Sequence, residues 1–156
     1  MSTLQSTPIS FKSTPLCEIC ENFSIPQEIT QSYFSTLYLI QGVGVCLSKQ
    51  LISHNLMLIE LKGELVPTQF FYSWLKEHIS TNQLLTLQSQ KWCNEWLYSK
   101  DVPLEFGVTK ASKKNITSNN WYLVFFYNRV VGIGEVEEDK KFLKNWYNIS
   151  AYLFEE

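Results

Sequence analysis

Charge is scarce in this chain. Only 18% of its 156 residues are Asp, Glu, Lys or Arg, and their balance is −2. A chain so poor in positive charge cannot coat a nucleic acid through bulk electrostatics, so any contact with one must come from a local patch. Histidine is scarcer still, with His54 and His78 alone. His54 has no paired nucleophile pattern near it, and His78 falls beside an apolar helical stripe, where a packed or rim residue is expected. No G-x-S-x-G elbow, phosphate-binding loop or H-E-x-x-H is present. No apolar run approaches the roughly 20 residues of a membrane-spanning helix. The Ser- and Thr-rich segment Met1–Thr14 lacks the continuous apolar stretch of a signal peptide. No membrane association and a cytoplasmic location are therefore expected. The Asn-x-Ser/Thr sequons at Asn22, Asn115 and Asn148 then read as chance matches.

Four cysteines occur: Cys17, Cys20, Cys46 and Cys93. Cys17 and Cys20 form one C-x-x-C, but a structural zinc site needs two more ligands at workable spacing. A thioredoxin-type motif belongs between a strand and a helix, and this one follows a tail-like segment. No metal and no cofactor are expected. Cys46 and Cys93 lie in apolar surroundings and read as small buried hydrophobes.

What is abundant is core material: 45% hydrophobic and 15% aromatic residues, enough for one domain with a small N-terminal lobe. Residues 1–26 read as a flexible N-terminal tail, dominated at first by Ser, Thr and Pro and broken at Pro26. Leu37–Leu47 reads as a strand pair turning near Gly42 and Gly44. Asn55–Leu61 reads as a strand closed by Lys62-Gly63. Helical spacing of Phe70, Phe71, Trp74, Leu75, His78 and Ile79 predicts a helix over 67–79 entered at Pro67. A second helix is predicted over 87–98, with Thr86 as its N-cap. Trp121–Tyr127 has the composition of a strand buried on both faces. Asn128-Arg129 reads as a turn, Val130–Val136 as the return strand and Trp146–Phe154 as a last strand. The fold class expected is α+β.

Two acidic or glycine-rich features have simple readings. Gly132-Ile133-Gly134 is half of a dinucleotide fingerprint and reads better as two glycines in a hairpin strand. Glu135, Glu137, Glu138 and Asp139 read as a solvated hairpin end rather than an acid–base pair. The basic residues carry more information. Lys110, Lys113, Lys114 and Arg129 fall between Phe106 and Gly134 with no acidic residue among them, and Lys140, Lys141 and Lys144 follow. Tyr127, Trp146 and Tyr147 are their aromatic neighbours. Cations for phosphates with interleaved rings for bases is the chemistry of RNA contact. The competing reading is an ordinary solvated surface over core aromatics.

The order of these features resembles a known family. Leu58-Ile59-Glu60-Leu61-Lys62-Gly63 followed by Pro67 is similar to a strand, Lys-Gly turn and helix entry in the C-terminal region of the RsmF-type ribosomal RNA cytosine-C5 methyltransferases. Leu85-Thr86 and then Glu95-Trp96 through Asp101-Val102 resemble its "L-T … E-W-Y-x-G-x-D-V" helix. Tyr122–Tyr127 with Val131-Gly132-Ile133-Gly134, and then Leu143-Lys144-Asn145-Trp146-Tyr147, match its later strands and its closing "L-K-N-x-Y-P". The resemblance covers residues 56–156, more weakly from 27.

It implies a PUA-like mixed β-barrel or sheet with two packed helices over residues 27–156, with an N-terminal lobe at 27–65. It also implies a non-catalytic module for structured RNA, ribosomal or transfer. The basic set Lys110, Lys113, Lys114, Arg129, Lys140, Lys141 and Lys144 supplies the candidate RNA-binding cations, with Lys144, Lys141 and Arg129 expected on phosphates. Gly132 and Gly134 would admit the RNA backbone. Asn145 would either read a base edge or cap its own backbone. The family's catalytic proline-cysteine motif and cofactor glycine loop are absent from these residues, so no enzyme activity is expected of the chain alone. Gln69, Asn148, Glu64 and Leu65 depart from the family pattern. A protein-interaction module using an exposed aromatic patch is the alternative expectation.

Overall fold

Leu16, Ile19 and Cys20 recur at three- and four-residue steps behind Pro15, and they set the first helix. The computed structural model describes residues 6–40, 44–47 and 56–150. In it, α1 (Pro15–Asn22) starts with proline at its first turn, where a missing N–H costs nothing, and buries those three side chains. The helix stops in a Schellman motif. Ser24 takes a left-handed φ of 57°, Ser24 N–H donates to Glu21 O, and Ile25 N–H donates to Cys20 O. Ile25 is itself buried. Before α1 lies β1 (Ser6–Ile9), which pairs antiparallel with β2 (Leu37–Ile40). The flexible tail expected over residues 1–26 is therefore corrected over 6–26. Its Ser/Thr/Pro composition hid two things: a helical apolar face, and backbone bonds supplied by a distant strand.

The chain divides into two compact units, Met1–His78 and Ile79–Glu156, rather than into a tail and one domain. The first unit continues through α2 (Gln27–Tyr33), β3 (Gly44–Leu47), β4 (Leu56–Leu61), β5 (Glu64–Pro67) and α3 (Gln69–His78). Its five strands lie in sequence order, every neighbouring pair antiparallel. β5 went unread in the sequence. Lys62 and Gly63 both take positive φ, the signature of a tight hairpin, so the chain turns back instead of entering a helix at once. Pro67 ends this edge strand, where a missing N–H is tolerated. Helix α3 starts two residues later, and Thr68 Oγ1 donates to Leu56 O at 2.6 Å. Phe34, Phe71 and Trp74 pack ring against ring in its core.

The second unit holds β6 (Leu84–Thr86), α4 (Gln90–Leu97), β7 (Val102–Pro103), α5 (Leu104–Gly107), α6 (Lys110–Lys113), β8 (Asn120–Phe126), β9 (Arg129–Val136) and β10 (Phe142–Asn148). These strands form a mixed sheet in the order β6-β8-β9-β10-β7, with β6 parallel to β8 and the rest antiparallel. The fold is α+β, as expected. β8 is buried from Trp121 to Phe125, matching its apolar run. The last strand begins at Phe142 rather than Trp146. Thr86 lies in β6, and Ser89 is the N-cap position of α4. The two helices read from the sequence fall in different units, α3 in the first and α4 in the second.

The β6 border of this sheet is occupied, and so is β10 just past the two residues that pair with the short border strand β7. At β6, Thr86 N–H donates to Ser112 Oγ, Thr109 N–H donates to Thr86 O, and Asn115 Nδ2 donates to Leu84 O. At β10, Asn145 N–H donates to Asp101 Oδ1.

Helix α4 is seated on the sheet by Trp96, which is fully buried and donates its indole N–H to Val131 O at 3.0 Å. Gly132 makes the seat possible. A Cβ there would lie 2.0 Å from Tyr147 O and 2.8 Å from Trp96 Nε1. Gly132→Ala is expected to cost about 3 kcal/mol or more, because rigid backbone stands in the way; urea denaturation of the purified chain measures it.

Candidate functional site

Strand alternation puts Phe142, Lys144 and Trp146 toward one face of β10. Trp146 is the extra residue of a bulge between Asn145 and Tyr147. Trp121 of β8 stacks on it, centroids 5.2 Å apart and planes at 17°. Lys144 Nζ sits 4.6 Å from the Trp146 centroid, a cation–π contact. Trp146 Nε1 donates to Glu135 Oε1 at 2.9 Å, and Glu135 is the cross-strand partner of both Trp121 and Lys144. Trp121 is buried, while Trp146 is 39% exposed and Phe142 49% exposed. The result is a ledge of one anchored indole with a cation over its ring and a second ring two positions before that cation. The strand boundary placed at Trp146 hid it. Alternation from Phe142 was the signal that could have found it.

The predicted basic residues are not gathered on one face. Lys110, Lys113 and Lys114 are exposed on and just after α6, which covers the β6 border. That border lies three strand spacings, about 14 Å, from β10. The Lys113 ammonium already donates to Glu105 O at 2.5 Å. Arg129 stands at the opposite end of β9 from the turn that carries Lys140 and Lys141, about 23 Å away along the strand. Lys140 and Lys141 share that turn with Glu137, Glu138 and Asp139, and Lys141 N–H donates to Asp139 Oδ1. Lys144 alone of the seven belongs to the ledge.

Gly132 and Gly134 are buried, so the expectation that they admit an RNA backbone is corrected. Their missing side chains make room for Trp96, Leu143 and the β10 backbone. Asn145 resolves its two expected roles toward capping, though not of its own backbone. Its Nδ2 donates to Trp96 O at 2.8 Å and Lys100 O at 3.2 Å, and its Oδ1 accepts from Asn148 Nδ2. The helix end it caps is a second Schellman motif, with Ser99 at φ 65° and Lys100 N–H donating to Glu95 O. The amide has no free donor left for a base edge. The β8–β9 turn falls at Tyr127-Asn128 rather than at Asn128-Arg129, and Tyr127 takes the left-handed conformation, at φ 55°.

Cys17 and Cys20 lie on α1, and Cys17 Sγ donates to Glu21 Oε1 at 3.2 Å. Burial pushes the Cys20 thiol up to about 12. Burial first, and then the hydrogen bond to Glu21 and its charge, also raises Cys17. Neither thiol has the depressed value of a reactive cysteine. Cys93 is buried, and its thiol is raised by burial against the lowering effect of Arg129. The Cys46 side chain and His54 lie outside the described residues. His78 Nδ1 is 2.8 Å from Trp74 O, and its ring stacks on Trp74. Among the described residues no three His, Cys, Asp or Glu side chains converge as metal ligands, and no described helix is long and apolar enough to cross a membrane. No protein-family model matches the chain, and no curated protein matches it.

Two outcomes follow from this geometry. Asn145→Ala should cost about 2 kcal/mol, since it strips hydrogen bonds from the α4 terminus and leaves polar groups unmatched; the shift in urea midpoint reports it. Iodoacetamide at pH 8, read by mass spectrometry, should leave Cys20 unlabelled in the native chain and label it after guanidinium is added.

Proposed function

We propose that residues 79–156 are a non-catalytic, PUA-like module that binds structured RNA in the cytoplasm, ribosomal or transfer RNA being the candidate class. The observation that carries the reading is the β10 ledge. Trp146, held by Trp121 and Glu135, is a pre-oriented ring whose outer face Lys144 covers; an unpaired base would take that face as Lys144 moves to the adjacent phosphate. Lys140 and Lys141 precede the same strand. A rigid ring with neighbouring cations suits single-stranded loops and bulges of folded RNA, where bases are free to stack. The family likeness supports the same reading in part: its motif residues from Leu85 onward fall in this unit, while Leu58–Gly63 and Pro67 belong to the first. Asp101, Val102, Trp96, Leu143 and Asn145 are joined by direct bonds or strand pairing.

A second reading has its own support. Residues 79–156 carry nine cations against nine anions, and three acids crowd the β9–β10 turn. A protein partner docking on Phe142 and Trp146 would not need net positive charge.

The two separate by salt. RNA binding through about three lysines predicts a log–log slope of roughly −2 to −3 in a fluorescence titration against salt. Trp146→Ala is expected to weaken binding about tenfold or more, and Lys144→Gln to flatten the slope by nearly 1. Absence of binding to any structured RNA at low salt, with a protein co-purifying instead, overturns the RNA reading in favour of the second.

A further inference from the structure

The tip of the β8–β9 hairpin is built against local preference. Phe126 and Arg129 are the last paired residues, so Tyr127 and Asn128 form the turn. Tyr127 holds φ 55°, a conformation in which glycine, asparagine or aspartate is favoured and a bulky side chain is strained. Asparagine stands at the very next position, yet the left-handed site is given to tyrosine. The ring does no work in the core: Tyr127 is 80% exposed. Phe126 braces it from one side, centroids 4.5 Å apart. Arg129, the single arginine of the chain, is exposed immediately after the turn, and no carboxylate occurs between Phe106 and Gly134. A strained residue that packs against little points to a contact outside the fold.

We infer that this tip is a second RNA contact, with Tyr127 stacking on an unpaired base and the Arg129 guanidinium taking the neighbouring phosphate. The inference rests on the RNA reading of the β10 ledge and extends it to a separate place. Planar guanidinium and exposed ring side by side are suited to a phosphate and its base. From Glu135, the ledge's anchor on β9, to Arg129 is six residues, about 20 Å. A strand touching both places must span roughly six stacked nucleotides at about 3.4 Å each. The tip therefore contributes to long ligands and not to short ones.

Fluorescence anisotropy of the full chain with a labelled single-stranded RNA 12-mer and a 3-mer tests this, beside thermal melts. Tyr127→Gly removes the ring and relieves the turn. It should raise the melting temperature by roughly 4 °C, weaken the 12-mer about tenfold and leave the 3-mer unchanged. Tyr127→Phe should keep wild-type affinity. Unchanged 12-mer affinity in Tyr127→Gly, while Trp146→Ala still weakens it, overturns the tip contact and leaves the ledge standing. Loss of a co-purifying protein with RNA affinity intact assigns the tip to a protein partner and overturns the inference likewise. A lower melting temperature in Tyr127→Gly makes Tyr127 a structural residue and overturns it too. Wild-type protein that binds neither RNA removes ledge and tip together.

Discussion

The hydrogen bond from the Trp96 indole to the Val131 carbonyl is the constraint on which the second unit depends. It is buried, so breaking it leaves two polar groups without water. It fixes the height of α4 above the sheet, and that height is attainable only because Gly132 has no side chain. With α4 in place, its C-terminal carbonyls fall within reach of Asn145, and Asp101 meets the Asn145 N–H. Those bonds in turn hold β10 against the helix end. A strand gripped so firmly on one side is free to present its other side as a rigid surface.

β10 thus divides its labour by alternation. Leu143 and Asn145 belong to the interior and to the helix end. Phe142, Lys144 and Trp146 belong to the opposite face. Trp96, Asp101, Val102, Gly132, Gly134, Leu143 and Asn145 are of the first kind and hold the unit together. The packing requires those residue types whatever the opposite face meets.

The fold was legible wherever residue type and burial coincide. The apolar run of β8, the glycine-punctuated return strand β9 and the aromatic stripes of α3 and α4 could be read directly from period and composition. What escaped depended on partners far along the chain. β1 has no apolar signature of its own and exists because β2 offers it a ladder. β5 is four residues after a Lys-Gly turn and is too short for a period to emerge. The site was less legible still. Lysines close in sequence were assumed close in space, but a hairpin carries Arg129 and Lys140 to opposite ends. The glycines and Asn145 were assigned to a ligand because sequence does not reveal that a helix already occupies their neighbourhood. The bulge at Trp146 shifts alternation by one residue for Tyr147 and beyond, so only alternation counted from Phe142 places Trp146 on the ledge.

The occupied β6 border of the second sheet has a consequence for the molecule's behaviour in company. An unpaired edge is a template on which another chain can grow a strand, and rows of such edges underlie domain swapping and fibrils. Here the N–H and C=O of Thr86 and the C=O of Leu84 are already spoken for, by Ser112, Thr109 and Asn115, and the Asn145 N–H is taken by Asp101. With only 18% charged residues, the chain has few charges to repel its own copies. At Leu84, Thr86 and Asn145, hydrogen bonds already made rather than charge close the backbone to a further strand.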